Sequence, residues 1–101
     1  MSIHAAPSPD GRTLNIRIFD RFDFNVHKEL REAYESKGKR YGSYVLDLRD
    51  TTYMDSAALG MLLQLREHAG NNKSAVRLRN AQPTIKDILA VAHFDQLFTI
   101  D

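Results

Sequence analysis

Three short runs with strand periodicity, separated by stretches with helical periodicity, limit what this chain can fold into. Leu14, Ile16 and Ile18 alternate with Asn15, Arg17 and Phe19. Tyr44-Val45-Leu46-Asp47-Leu48 is more continuously apolar, and Ala75-Val76-Arg77-Leu78-Arg79 alternates again, with both arginines predicted to face outward. A period of two is that of a strand with one buried face, and a continuous apolar run suits a central strand. Between the first two runs, Val26, Leu30, Ala33 and Tyr34 recur at helical spacing, with Glu29, Arg31, Glu32 and Glu35 outside that stripe. Asn25 is an N-cap candidate for this helix, and Gly38 stands where a left-handed residue commonly ends one.

Between the second and third runs, Arg49 to Tyr53 reads as a polar connection, and Met54-Asp55-Ser56 leads into a helix from Ala57 to about Ala69. That helix is apolar almost all round, which predicts cover on more than one side. Gly60 within it costs about 1 kcal/mol relative to Ala, so close packing against a neighbour is expected there. Serine at a strand-to-helix junction is a preferred N-cap, and Ser56 is expected to serve as one. Pro83 suits the first position of a third helix, striped by Ile85, Ile88, Leu89 and Ala92. Phe94, Leu97, Phe98 and Ile100 make an apolar tail that can add an edge strand. At the other end, Ser2 to Ala6 reads as a strand turned by Pro7-Ser8-Pro9-Asp10-Gly11, giving a hairpin with the first alternating run. Asp20 to Phe24 reads as a short connection. Strands alternating with helices predict an α/β fold with a partly parallel sheet.

At 101 residues, the chain is expected to form one domain over 1–101. Cysteine is absent, which removes disulfides, thiolate metal sites and a thiol nucleophile. The formal charge of +1 gives no global field for nucleic acid. The one local basic run, Lys37, Lys39 and Arg40, reads as a solvated helix end. No signal-peptide pattern opens the sequence, and Ala57 to Leu65 is too short to span a bilayer, so a soluble cytoplasmic protein is expected.

Catalytic patterns are missing. The G-x-S-x-G elbow is absent around Ser56, and His4, His27, His68 and His93 occur singly, each reading as a surface histidine. There is no paired-histidine metal spacing and no glycine-rich phosphate loop. A non-enzymatic protein without a cofactor or metal is expected. What remains is Ser56, at the start of a helix whose free N–H groups and dipole can accommodate a phosphate.

The run Val45-Leu46-Asp47-Leu48-Arg49-Asp50-Thr51-Thr52-Tyr53-Met54-Asp55-Ser56-Ala57-Ala58-Leu59-Gly60 resembles the signature of STAS domains, especially bacterial anti-sigma factor antagonists. His93-Phe94-Asp95-Gln96-Leu97-Phe98 is similar to the family's Gly-Leu-Asp-x-Leu-Phe ending. The resemblance implies the STAS fold, a mixed four- to five-stranded sheet with helices packed on one side. Ser56 matches the phosphorylated serine, Asp55 the acidic residue before it, and Asp23 the aspartate closing a neighbouring strand-to-helix loop. Met54, Ala57 and Ala58 join these three as the implied partner-binding set; Met61 is read as core. Ala57-Ala58 replaces the frequent Ser-Gly or Thr-Gly, and Arg21 stands where glycine is common.

By the same resemblance, the unphosphorylated chain, monomeric when alone, binds an anti-sigma factor or related regulator. A serine kinase of the GHKL type phosphorylates Ser56 and a PP2C-type phosphatase reverses it, with no direct contact to nucleic acid or membrane. The alternative is a non-switching STAS adapter in a transport or lipid-trafficking assembly.

Overall fold

Alternation along the strands decides which side of the sheet is covered. The structure, a computed structural model, describes residues 2–35 and 40–101. Strand β2 (Thr13–Ile18) buries Leu14, Ile16 and Ile18, β4 (Ser43–Asp47) buries Tyr44 and Leu46, and β6 (Val76–Arg79) buries Val76 and Leu78. Strands β1 (Ile3–Pro7) and β7 (Thr99–Ile100) complete a five-stranded sheet in the order β1-β2-β4-β6-β7. The β1–β2 hairpin is antiparallel and every other pairing in this sheet is parallel. At the hairpin turn Gly11 takes a φ of 73°, and Asp10 accepts from Ser8 Oγ and from the Arg12 N–H. The Ser8 bond and then the Arg12 bond hold the Asp10 carboxyl below its ordinary pKa.

Helices α1 (His27–Glu35), α2 (Ser56–His68) and α3 (Pro83–Val91) supply the other half of the core through Leu30 and Tyr34, through Ala58, Met61, Leu62 and Leu65, and through Ile85 and Leu89. The buried side chains of sheet and helices form one contiguous cluster. The opposite sheet face stays wet. There Arg77 and Arg79 are exposed, as their alternation predicts, and charged residues pair across neighbouring strands and loops: Arg17 with Asp50, Arg49 with Asp47 at 3.0 Å, and Arg77 with Asp101 at 2.8 Å. A mixed sheet with one helix-covered face is the expected α/β fold.

Several local expectations are corrected. Asp20 to Phe24 and Arg49 to Tyr53 are not merely connections: Asp20–Phe22 (β3) and Thr51–Met54 (β5) form a separate two-stranded parallel sheet. Thr51, fully buried, anchors it by donating from Oγ1 to the Ile18 carbonyl at 2.9 Å. Asn25 is not the cap of α1. Asp23 caps a 3₁₀ turn over Phe24–Val26, and the α-helix begins only at His27. Gly60 packs against no neighbouring element: among the described residues, and apart from its chain neighbours and its own helix backbone, no heavy atom lies within 4 Å of where a β-carbon would sit, and the residue is exposed. With Leu63 39% exposed as well, α2 is covered on one side only, and its apolar residues exceed what the core uses. Gly38, Lys37 and Lys39 lie outside the described residues.

His68, at the carboxyl end of α2, is not a freely solvated histidine. Its ring sits 4.9 Å from that of Tyr34 and 5.8 Å from that of Tyr44, and its buried Nε2 has no hydrogen-bond partner among the described residues. Burial, and secondarily the charge of Arg40, lower its pKa, with Glu35 opposing. The folded chain therefore prefers the neutral ring, and this contribution to stability is lost as pH falls through the histidine range.

Candidate functional site

The two-stranded sheet ends in a matched pair of carboxylates. Phe22 and Met54 are register partners at the carboxyl ends of β3 and β5, and both are buried. The next residue on each strand is an aspartate in extended conformation: Asp23 at φ −137° and ψ −172°, Asp55 at φ −122° and ψ −174°. Each turns the chain into a helical segment by accepting a backbone N–H. Asp23 Oδ1 takes that of Asn25 at 3.0 Å, and Asp55 Oδ1 takes that of Ala58 at 3.1 Å. Such caps satisfy donors that the first turn leaves without partners.

Asp55, and not Ser56, is thus the N-cap of α2. Either residue type suits the role, but only Asp55 has the non-helical backbone of a cap; Ser56 is already the first helical residue. Its side chain is exposed, and among the described residues its hydroxyl makes no hydrogen bond. The fold makes no structural use of that oxygen.

Of the six residues expected in a partner site, Asp23, Asp55, Ser56 and Ala57 follow the two paired strand ends. Asp23 is only 8% exposed, Ala57 is half-buried and Ser56 is open. Met54, 4% exposed, and Ala58, fully buried, are core residues beneath this corner. The methyl of Ala58 therefore points into packing and does not crowd the surface. Met61 is core, as read.

Three residues the sequence reading did not place in the site border it. Phe24 is 68% exposed and stacks on His27 at 5.2 Å between ring centroids. Tyr53 is 39% exposed and lies beneath the Arg21 guanidinium, whose carbon is 4.0 Å from the ring centroid. The same guanidinium donates from Nε to Asp23 Oδ2 at 3.2 Å. Strand alternation alone would put Phe22 and Phe24 on one face; the 3₁₀ turn that Asp23 caps is what sends Phe24 out, and the sequence carried no separate signal for it. A shallow hollow of about 330 Å³ adjoins the corner, lined by Phe19, Arg21, Asp23 and Val26 among others. Among the described residues no cluster of three or more histidines and carboxylates is placed to hold a metal. What the arrangement offers chemically is an exposed hydroxyl at a capped helix end, flanked by two carboxylates, a guanidinium and two exposed rings.

The mixed sheet, its single helix-covered face and the serine opening the second helix define an α/β domain of STAS type. The family described as "Mlab, STAS domain" matches residues 6–99, and the chain belongs to it. A STAS-domain containing protein of Pseudomonas aeruginosa is 50% identical over 100 residues, covering 99% of each chain. Solved structures agree in fold. Unphosphorylated SpoIIAA, an anti-sigma factor antagonist, superposes with a TM-score of 0.74 at 17% identity, covering 98% of this chain and 86% of that one. A putative anti-sigma factor antagonist of Thermotoga maritima gives 0.82 at 14% identity, with 97% and 84% covered. A sulfate transporter family protein of Wolinella succinogenes gives 0.74 at 14% identity, with 95% and 80% covered. No helix among the described residues is long and apolar enough to cross a membrane.

Proposed function

We propose that this chain is an anti-sigma factor antagonist controlled by phosphorylation of Ser56. It acts as a single non-catalytic STAS unit in the cytoplasm. One observation carries the reading: the cap of α2 is Asp55, so the exposed Ser56 hydroxyl can be modified without dismantling the helix start. In the unmodified form, Ser56, Ala57 and the flanking Phe24 and Tyr53 rings meet an anti-sigma factor or related regulator. Aromatic side chains are the usual anchors of such surfaces. A GHKL-type serine kinase adds the phosphate and a PP2C-type phosphatase removes it.

The phosphate blocks docking through desolvation. A partner covering phosphorylated Ser56 must strip water from about two charges, which costs several kcal/mol unless cations answer them. Even 3 kcal/mol is about a hundredfold in affinity.

The test has two parts. Intact mass of the protein recovered from its own cells, with and without phosphatase treatment, reports whether Ser56 carries a phosphate. Calorimetric titration of the regulator captured on the Ser56→Ala variant then compares forms. Tight binding by wild type and Ser56→Ala is expected, with at least about a hundredfold weaker binding by the phosphorylated form. Equal binding by all forms overturns the switch and leaves the constitutive adapter.

A further inference from the structure

Phosphorylation would bring about two negative charges to a corner already holding Asp23 and Asp55. Left unanswered, that charge would be repelled from both sides. The corner also holds a cation. Arg21 lies opposite Tyr53 in the β3–β5 register, with Phe22 opposite Met54 one position on. Its side chain is 63% exposed and its guanidinium lies over the Tyr53 ring. Only Nε is hydrogen-bonded, through the single 3.2 Å contact to Asp23, and among the described residues the two terminal nitrogens have no hydrogen-bond partner.

That hold is weak, and the group is suited to a better anion. Charge-assisted N–H···O⁻ bonds are normally about 2.7–2.9 Å, so the Asp23 contact is long for its type. A guanidinium presents five N–H donors in a planar fork that matches phosphate oxygens two at a time, which one bond to Asp23 does not use. Neighbouring strands lie about 4.8 Å apart, and the three-residue step from Tyr53 to Ser56 spans at most about 10 Å. On these spacings a long arginine based beside Tyr53 and extended along that step is within reach of a phosphate on Ser56.

We propose, resting on the reading of Ser56 as a phosphorylation site, that Arg21 is the internal counter-ion of the phosphorylated serine. Its terminal N–H groups turn from the Tyr53 face toward the phosphate, and the Asp23 contact is given up. Asp23 keeps the Asn25 N–H and so keeps its turn. The Tyr53 ring, relieved of its cover, presents a different face to any partner. Modification thus remodels the docking surface as well as charging it, and a glycine at position 21 could do neither.

The experiment uses the full chain with phosphoserine installed genetically at position 56. The phosphorus NMR signal is followed through a pH titration in wild type, Arg21→Ala and Arg21→Gln. An adjacent cation favours the dianion, so both variants are expected to raise the second phosphate pKa, normally about 6, by about half a unit or more. Arg21 is an exposed side chain, and thermal melts confirm that the variants are folded. A pKa unchanged in both variants, or raised in Arg21→Ala alone, overturns the proposal, the latter because packing and not charge would be responsible. Because the phosphate is installed directly, the titration reads Arg21 whether or not cells phosphorylate Ser56; the intact-mass measurement tests that separately.

Discussion

Helix α2 has two ends, and they are finished in opposite ways. At the carboxyl end, the His68 ring is wedged between Tyr34 and Tyr44, and Arg66 donates from Nε to the Leu97 carbonyl at 3.0 Å. The last carbonyls are answered by the N–H groups of Ala69, Gly70 and Asn71, with Gly70 at φ 96° and Asn71 at φ 59°. The chain therefore ties this end to α1, to the sheet and to its own tail. At the amino end, one aspartate side chain closes the first turn, and Ser56 faces solvent with an unused hydroxyl. The difference separates duties along one helix: the carboxyl end fixes its position, so the amino end can bear a change of charge.

The hardest way to break this division is to unpick the anchored end. Tyr44 is fully buried, touches His68 and Tyr41, and accepts the Tyr41 N–H at its hydroxyl. Removing a buried aromatic side chain costs about 3–5 kcal/mol, through lost transfer energy and the cavity left behind. Tyr44→Ala is expected to lose that much in urea unfolding, a large part of the 5–15 kcal/mol typical of a domain. A loss below about 1 kcal/mol, the range of a surface change, would show that this end is no anchor.

A smaller effect is expected at the exposed end. Asp55→Ala leaves the Ala58 N–H without its acceptor and is expected to cost about 1 kcal/mol, the usual value of a lost cap. Asp55→Asn, an equally good cap, is expected to retain most of the stability. The pair separates capping from charge. Were Ser56 able to take over the cap, Asp55→Ala would unfold at the same urea concentration as wild type.

The main sheet and the helix stripes were legible because they rest on periodicity, whereas the anchoring of His68 was not: a single histidine reads as a surface residue, and its tyrosine neighbours come from α1 and β4. Alternation at Leu14, Ile16 and Ile18 and the helical stripe of Leu30 and Tyr34 correspond to buried faces that local spacing alone predicts. The amino end was legible only in outline. Asp55 and Ser56 are both good caps, and which one takes the role is fixed by where β5 stops pairing with β3. That pairing joins residues about thirty positions apart, from Asp20↔Thr51 to Phe22↔Met54, with a shift in register between Asp20 and Arg21. Strands of three and four residues carrying Asp20, Arg21, Thr51 and Thr52 have too little apolar alternation to be read as strands. Gly60 misled for a related reason: a helix rich in leucine looks covered all round, yet Leu63 and Gly60 face out. His93 shows the converse. It holds a left-handed φ of 61°, the conformation that suits the glycine of the motif it resembles, although the residue here is a histidine.

The smallest effect expected is also the one on which the comparison turns: changing Ser56 should hardly move stability. Ser56→Ala removes a hydroxyl that is exposed and makes no hydrogen bond among the described residues, and alanine is a better helix residue by a few tenths of a kcal/mol. Phosphorylation adds opposing terms. The amino end of a helix favours a negative charge by about 0.3–1 kcal/mol when exposed, and its free N–H groups add hydrogen bonds. Asp55 next in sequence and Asp23 beyond it repel that charge by about 1 kcal/mol each at short range in water, less with distance and salt. A counter-ion at Arg21 offsets part of this repulsion. The sum lies within about 1 kcal/mol of zero, and for a domain of this size 1 kcal/mol moves the melting temperature by about 4–8 °C. Wild type, Ser56→Ala, Ser56→Asp and the phosphorylated chain are therefore expected to melt within that interval of one another. A phosphorylated form melting 15 °C or more below wild type would mean that the modification acts by unfolding the start of α2, and that the two ends of the helix are not independent.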